Sequence, residues 1–120
     1  MVGHRRRPGY DRFEAYAYAM NSGFIGVLTF EIHIPEASSL KEKRRHLRHT
    51  KAQLERRFSA SVAEVDHHDL WQRGRLTMVL VRRSYADTVH GLDDAERYLS
   101  GQEYELAGAS RTVLSVEDDL

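Results

Sequence analysis

The sequence contains no cysteine, so neither disulfide bonds nor thiolate chemistry contributes to its fold or function. It also lacks any apolar run near the roughly 20 residues that a membrane helix requires, and we expect no contact with a membrane. The arginines at positions 5–7 are not followed by an apolar segment, which argues against a secretory signal. These absences are typical of a cytoplasmic protein.

Proline occurs only twice and tryptophan once in 120 residues, a length that suits a single domain with one modest core. Pro8 and Gly9 break the basic N-terminal stretch, and we predict that 1–22 form an extension without ordered structure. The domain itself is expected over 23–116, and 117–120 form an acidic tail.

The formal net charge of the sequence is zero, but the positive and negative residues are unevenly distributed along the chain. Residues 38–57 hold eight Lys and Arg against two acids, whereas residues 84–120 hold two arginines against nine acids. One explanation is that the two charge sets attract each other within the fold. The other is that the basic segment meets a polyanionic partner.

The basic segment has the pattern of an amphipathic helix. Leu40, Leu47, Leu54 and Phe58 recur at steps of seven and four residues, which places them on one helical face. Ser39, followed three residues later by a glutamate, matches a capping box at the helix start.

Alternation of apolar and polar residues predicts strands over 24–34, 59–65, 75–83 and 104–116, with a bend at Gly108. A second helix follows the N-cap Ser84 and ends at 100–101, with Tyr85, Val89, Leu92 and Leu99 as its buried stripe. The order strand, helix, strand, strand, helix, strand predicts an α+β fold of the ferredoxin-like βαββαβ type. In that fold a four-stranded antiparallel sheet carries both helices on one face.

The other face of this sheet is expected to be open to solvent. Its outward positions on the central strands hold small residues and no aromatic side chain, which argues against stacking of RNA bases there. β-Branched residues suit packing against a second copy of the chain, so we predict a homo-oligomer formed through this face. The outward positions are Val27, Thr29, Thr77, Val79 and Val81.

Three stretches together resemble the YlxP-like proteins, a bacterial family of unknown function. They are the strand over 24–35, the serine-leucine-lysine motif over 39–44, and the segment 62–65 followed by 69–73 with its tryptophan, glutamine and arginine. The resemblance runs from about 23 to about 116. It implies a ferredoxin-like fold, and because family members are often encoded near translation-initiation and ribosome-maturation factors, it implies a role close to RNA. It supplies no catalytic residue and no cofactor.

We therefore interpret the protein as a non-enzymatic RNA- or ribosome-associated protein that uses its basic first helix. Lysine and arginine neutralise phosphates and release counterions, which gives salt-dependent binding with little sequence preference. The candidate nucleic-acid-binding residues are Lys41, Lys43, Arg44, Arg45, Arg48 and Lys51.

The alternative function is an oligomeric regulatory or interaction module whose partner is a protein with an acidic surface. Trp71, Gln72 and Arg73 are its candidate partner-binding residues, although a lone tryptophan more often packs in a core or at an edge. A third, weaker hypothesis is a metal-dependent enzyme using the loop 66–69, whose sequence is Asp-His-His-Asp. Adjacent loop residues tend to point apart, so we expect a plain polar loop and no metal there.

Overall fold

Seven elements follow one another in the computed structural model, which describes residues 21–120. The predicted extension over 1–22 therefore lies almost entirely outside the described residues. The elements are β1 (Phe24–His33), α1 (Leu40–Phe58), β2 (Ser61–Asp66), β3 (Arg73–Arg82), α2 (Tyr85–Ser100), β4 (Glu105–Ser115) and α3 (Val116–Asp119).

The four strands form one antiparallel sheet in the order β2-β3-β1-β4, which confirms the predicted ferredoxin-like arrangement. The first strand is central. Phe24 pairs with Arg82 of β3 on one side and with Ser115 of β4 on the other. The helices α1 and α2 each connect two parallel strands that flank a third strand, and right-handed connections of this kind place both helices on the same face.

The core lies between that face and the two long helices. Alternate residues of β1 and β3, among them Leu28, Phe30 and Met78, are almost fully buried. Gly26 lets α2 approach the sheet, because a Cβ atom added there would lie 2.8 Å from Thr88 Cγ2. Leu47 and Leu54 of α1 complete the core, as the helical pattern predicts.

Within residues 21–120 no helix covers the opposite face of the sheet, called the open face here, and the five outward positions predicted for the central strands are half-buried or exposed. Thr29 and Thr77 stand side by side there, with 2.9 Å between their Oγ1 atoms. Val81 is 60% exposed.

Several predicted boundaries move. Ser59 adopts the left-handed conformation that ends α1, with φ of 51°, so β2 begins at Ser61 and not at 59. The acidic residues after β4 form the short third helix α3, where the prediction had an unstructured tail and only two helices in total. Among residues 21–120, no helix combines the length and the apolar character needed to cross a membrane.

The buried stripe of α2 is also displaced from the prediction. Tyr85 is 60% exposed and lies edge-on to Phe24, with ring centroids 6.2 Å apart. Thr88 and Ala95 join Leu92 and Leu99 in the core instead.

The irregularity predicted at Gly108 is present in β4. Glu31 pairs with Gly108, whereas the next residue of β1, Ile32, pairs with Leu106. Ala107 is therefore the extra residue of a bulge.

Candidate nucleic-acid interface

Helix α1 begins with the predicted cap. Ser39 Oγ accepts a hydrogen bond from the Glu42 backbone N–H at 3.1 Å. The Glu42 carboxylate reaches back one residue further than a standard capping box, to Ser38, whose backbone N–H donates at 3.3 Å and whose hydroxyl also donates. The hydrogen bond from the Ser38 hydroxyl, followed by that from its backbone, lowers the pKa of Glu42 below its usual value.

The outer side of α1 carries a row of cations, which we call the basic ridge. It spans the eleven residues from 41 to 51, whose ends lie about 15 Å apart at the helical rise of 1.5 Å per residue. Four of its members are exposed and the fifth, Lys51, is half-buried. The members are Lys41, Arg44, Arg45, Arg48 and Lys51.

Within residues 21–120, no member of the basic ridge forms an ion pair with an acidic side chain. Three of the nine acids in residues 84–120 pair with the two arginines of the same segment. Arg111 Nη1 lies 2.7 Å from Asp93 Oδ1 and also contacts Glu96, and Arg97 lies 2.6 Å from Asp94. These three acids therefore form no ion pair with the basic ridge, and the explanation that the two charge sets attract each other at longer range within the fold stays a prediction.

Lys43 does not belong to this surface, and its assignment as a phosphate contact is corrected. Its side chain is 1% exposed, its Nζ lies 2.8 Å from Glu64 Oε2, and it donates a hydrogen bond to the His67 carbonyl. A lysine held in this way by a buried counter-charge cannot reach a phosphate on the outside of the helix.

A signal for this burial was present in the sequence. Lys43 follows Leu40 by three residues and precedes Leu47 by four, which places it on the buried face of the helix. Nothing in the sequence identified Glu64 as its partner.

The three predicted partner-binding residues line one groove, and one of them also has a structural contact. Gln72 fastens the turn before α1, because its Nε2 donates to the carbonyls of Pro35 at 3.0 Å and of Ala37 at 3.3 Å. Trp71 is 53% exposed, so it does not pack in the core, whereas packing at an edge stays compatible with this exposure. It borders a shallow groove of about 490 Å³ together with Arg73, and its role in binding a partner stays a prediction.

The loop 66–69 is tied to the open face of the sheet by one histidine. His67 has a left-handed φ of 65°, and its Nε2 lies 3.3 Å from Glu31 Oε1, which Arg75 also contacts at 2.8 Å. The hydrogen bond with His67, and after it that with Arg75, lowers the pKa of Glu31. Among the described residues, no three histidine, aspartate or glutamate side chains are grouped so as to hold a metal ion.

Comparison with known proteins gives three findings. The model of a family described as "Protein of unknown function (DUF503)" matches residues 25–111. The uncharacterized protein YlxP of Bacillus subtilis (strain 168) is 34% identical over 64 residues, which cover 53% of this chain and 70% of that protein. The crystal structure of a C-terminal segment of the alpha subunit of aIF2 from Pyrococcus abyssi is 15% identical with a TM-score of 0.41. That alignment covers 89% of this chain and 58% of the other.

Proposed function

The chain belongs to the family of proteins of unknown function DUF503, and we propose that it binds RNA, alone or within a ribosomal particle, through the basic ridge of α1. The observation that carries this proposal is a row of exposed cations with no acidic partner among the described residues. Charges left in this state attract polyanions, and each phosphate that they neutralise releases counterions into the solvent.

The rigidity of α1 supports the same proposal. The helix is capped at Ser39, and Leu47 and Leu54 pack it against the sheet, so the backbone that carries the basic ridge is held in a fixed position. Arginines one turn apart, such as Arg44 and Arg48, lie on the same face of the helix, so both can contact phosphates of one RNA strand without a change in the backbone of α1. Contacts of this type position a nucleic acid and carry little base preference.

The role proposed is binding, in the cytoplasm, without a catalysed reaction. The strands described in the structure present no aromatic side chain on the open face of the sheet, where RNA-recognition domains stack bases. The ridge is thus the surface on which this proposal depends.

The test is a titration of RNA with the full chain across a series of salt concentrations. The variant R44Q/R48Q should bind more weakly, and the slope of log K against log salt should fall in magnitude by about 1.4 for a single-stranded RNA. The matched variant R83Q/R97Q removes the same charge from two exposed arginines away from the ridge and should keep the wild-type slope. Equal slopes for all three proteins would retire the proposal.

A second candidate function, a homo-oligomeric interaction module with an acidic protein partner, is favoured by the open face of the sheet. Val81, Ile25 and Leu114 lie side by side across three strands there, and Val81 is 60% exposed. Sedimentation of the full chain tests it. V81D should dissociate an oligomer formed through this face, whereas H90D on α2 should not.

A further inference from the structure

A groove of about 340 Å³ lies between α1 and the segment that leads into β4. Arg45, His46 and His49 line its α1 wall, and Glu103 lines the other. Three nitrogen-bearing side chains thus face one carboxylate. Arginine is charged at all physiological pH values, and an imidazole ring offers an N–H donor.

The floor of the groove holds a buried donor. Tyr104 is 6% exposed, and its hydroxyl oxygen accepts a hydrogen bond from Thr50 Oγ1 at 3.1 Å. Its own O–H hydrogen has no acceptor among the described residues. A ligand oxygen placed in the groove would accept this hydrogen.

The Tyr104 hydroxyl remains a donor at every physiological pH. Burial raises the pKa of Tyr104 to about 12, while the hydrogen bond from Thr50 opposes that effect. A group that stays protonated and neutral suits an acceptor-only ligand.

We propose that this groove binds one phosphate group, with Arg45, His46 and His49 supplying donors and positive charge, and Tyr104 donating from the floor. The unprotonated oxygens of a phosphate group accept hydrogen bonds, and an arginine can donate two parallel hydrogen bonds to two of these oxygens. A metal ion does not fit the same residues, because no group of three ligands is formed within the described part of the chain.

The proposal rests on the proposed function through Arg45, which belongs to both the ridge and the groove. Beyond the row of cations, the groove is a single site for one phosphate group. A backbone phosphate of RNA and a free phosphate monoester share the chemistry that the groove recognises, and the experiment below separates them.

Removal of the Glu103 carboxylate should strengthen phosphate binding, whereas removal of a donor should weaken it. The carboxylate repels a phosphate in the groove, so E103Q should bind phosphate several-fold more tightly than the wild type. An increase of affinity on removing one carboxylate is not expected from a variant that merely damages the fold.

The test is an NMR titration of the full chain with inorganic phosphate, following the imidazole signals of His46 and His49. Saturable shifts are expected, with affinity about tenfold lower in Y104F, since a hydrogen bond to a charged group is lost. The matched control Y85F removes a hydroxyl from an exposed tyrosine and should bind as the wild type does. H49Q should weaken binding where H90Q does not, so the proposal does not depend on the folding of one variant.

Two outcomes overturn the proposal: shifts that do not saturate, or equal affinities for Y104F, Y85F and E103Q.

If phosphate binding is saturable, a repeat of the titration with excess RNA shows which phosphate the groove takes. Loss of phosphate binding in the presence of RNA assigns the groove to a phosphate of the RNA backbone. Binding of phosphate and RNA at the same time assigns the groove to a free phosphate monoester. Phosphate binding without RNA binding would retire only the proposed function, whereas RNA binding without saturable phosphate binding would retire only the groove.

Discussion

The ammonium group of Lys43 on α1 lies 2.8 Å from the carboxylate of Glu64 on β2, and the lysine side chain is 1% exposed. The same ammonium donates to the carbonyl of His67, so one side chain joins a helix, an edge strand and the loop that follows it. A charge removed from water to this degree depends on its partner.

We expect E64L to lower the free energy of unfolding by about 3 kcal/mol, because it leaves Lys43 buried without a counter-charge. The double variant K43M/E64L should recover much of that loss, since two apolar side chains of similar volume replace the pair. Urea denaturation of the four proteins of this cycle measures both effects. Additive losses in the double variant would show that the two groups are not coupled.

The burial of Lys43 also predicts a contrast between two lysines that are two residues apart. K41M should weaken RNA binding and lower the magnitude of the salt slope by about 0.7, because Lys41 lies on the basic ridge. K43M, measured under conditions in which it is folded, should leave the slope unchanged. If K43M lost as much RNA affinity as K41M, the assignment of the ridge would be wrong.

Two glycines in the sheet should differ in how much an added methyl group lowers the stability of the fold. In G26A the new Cβ would lie 2.8 Å from Thr88 Cγ2 and 3.0 Å from Leu80 Cδ1, and we expect a loss of about 1–3 kcal/mol from overpacking. In G108A the new Cβ would meet no atom of residues 21–120 within 4 Å, so the free energy of unfolding should stay within about 0.5 kcal/mol of the wild type. Thermal unfolding of the two variants checks the difference in packing.

The contacts of Glu31 predict a contribution to stability that depends on pH. The pKa of Glu31 is lowered from 4.5, first by its hydrogen bond with His67 and then by that with Arg75. A carboxyl whose pKa is lower in the folded state stabilises the fold above its unfolded pKa, and this stabilisation is lost as the pH falls through the folded pKa. E31Q should therefore be less stable than the wild type at pH 7, and the difference should shrink in acid below the folded pKa. A difference in urea midpoint that is the same at both pH values would refute this.

The single tryptophan allows a direct test of the loop before β3. Because Trp71 is 53% exposed, the folded protein should fluoresce at long wavelength and be quenched efficiently by acrylamide. W71A should change the free energy of unfolding by no more than about 0.5 kcal/mol. Emission shifted to short wavelength on addition of a cell extract would indicate that a partner covers Trp71, and a blue-shifted emission from the isolated protein would contradict the exposure.

The fold was accessible from the sequence wherever periodicity alone decided it. The alternation along β1 and the seven-residue spacing of Leu47 and Leu54 specify which face is buried, and Ser39 and Ser84 mark helix starts. These signals are local, and the order of elements then limits the topology.

The candidate site was only partly accessible, because its chemistry depends on contacts between distant segments. The spacing of Lys43 between Leu40 and Leu47 places it on the buried face of α1, but its pairing with Glu64 depends on how α1 packs on β2. Trp71 and Tyr104 illustrate the same limit, since an aromatic residue beside a loop is exposed in the first case and buried beneath a groove in the second.

The pairing of β1 with β4 has a consequence for how the chain acquires its structure. The first strand of the described domain finds its second neighbour only when residues up to Ser115 are available, and β1 occupies the middle of the sheet. Loop closure over so long a separation slows folding, because its entropy is lost before the contacts form. A nascent chain still lacking β4 therefore presents a bare central strand edge, and cotranslational assembly of the sheet ends with the last strand to emerge.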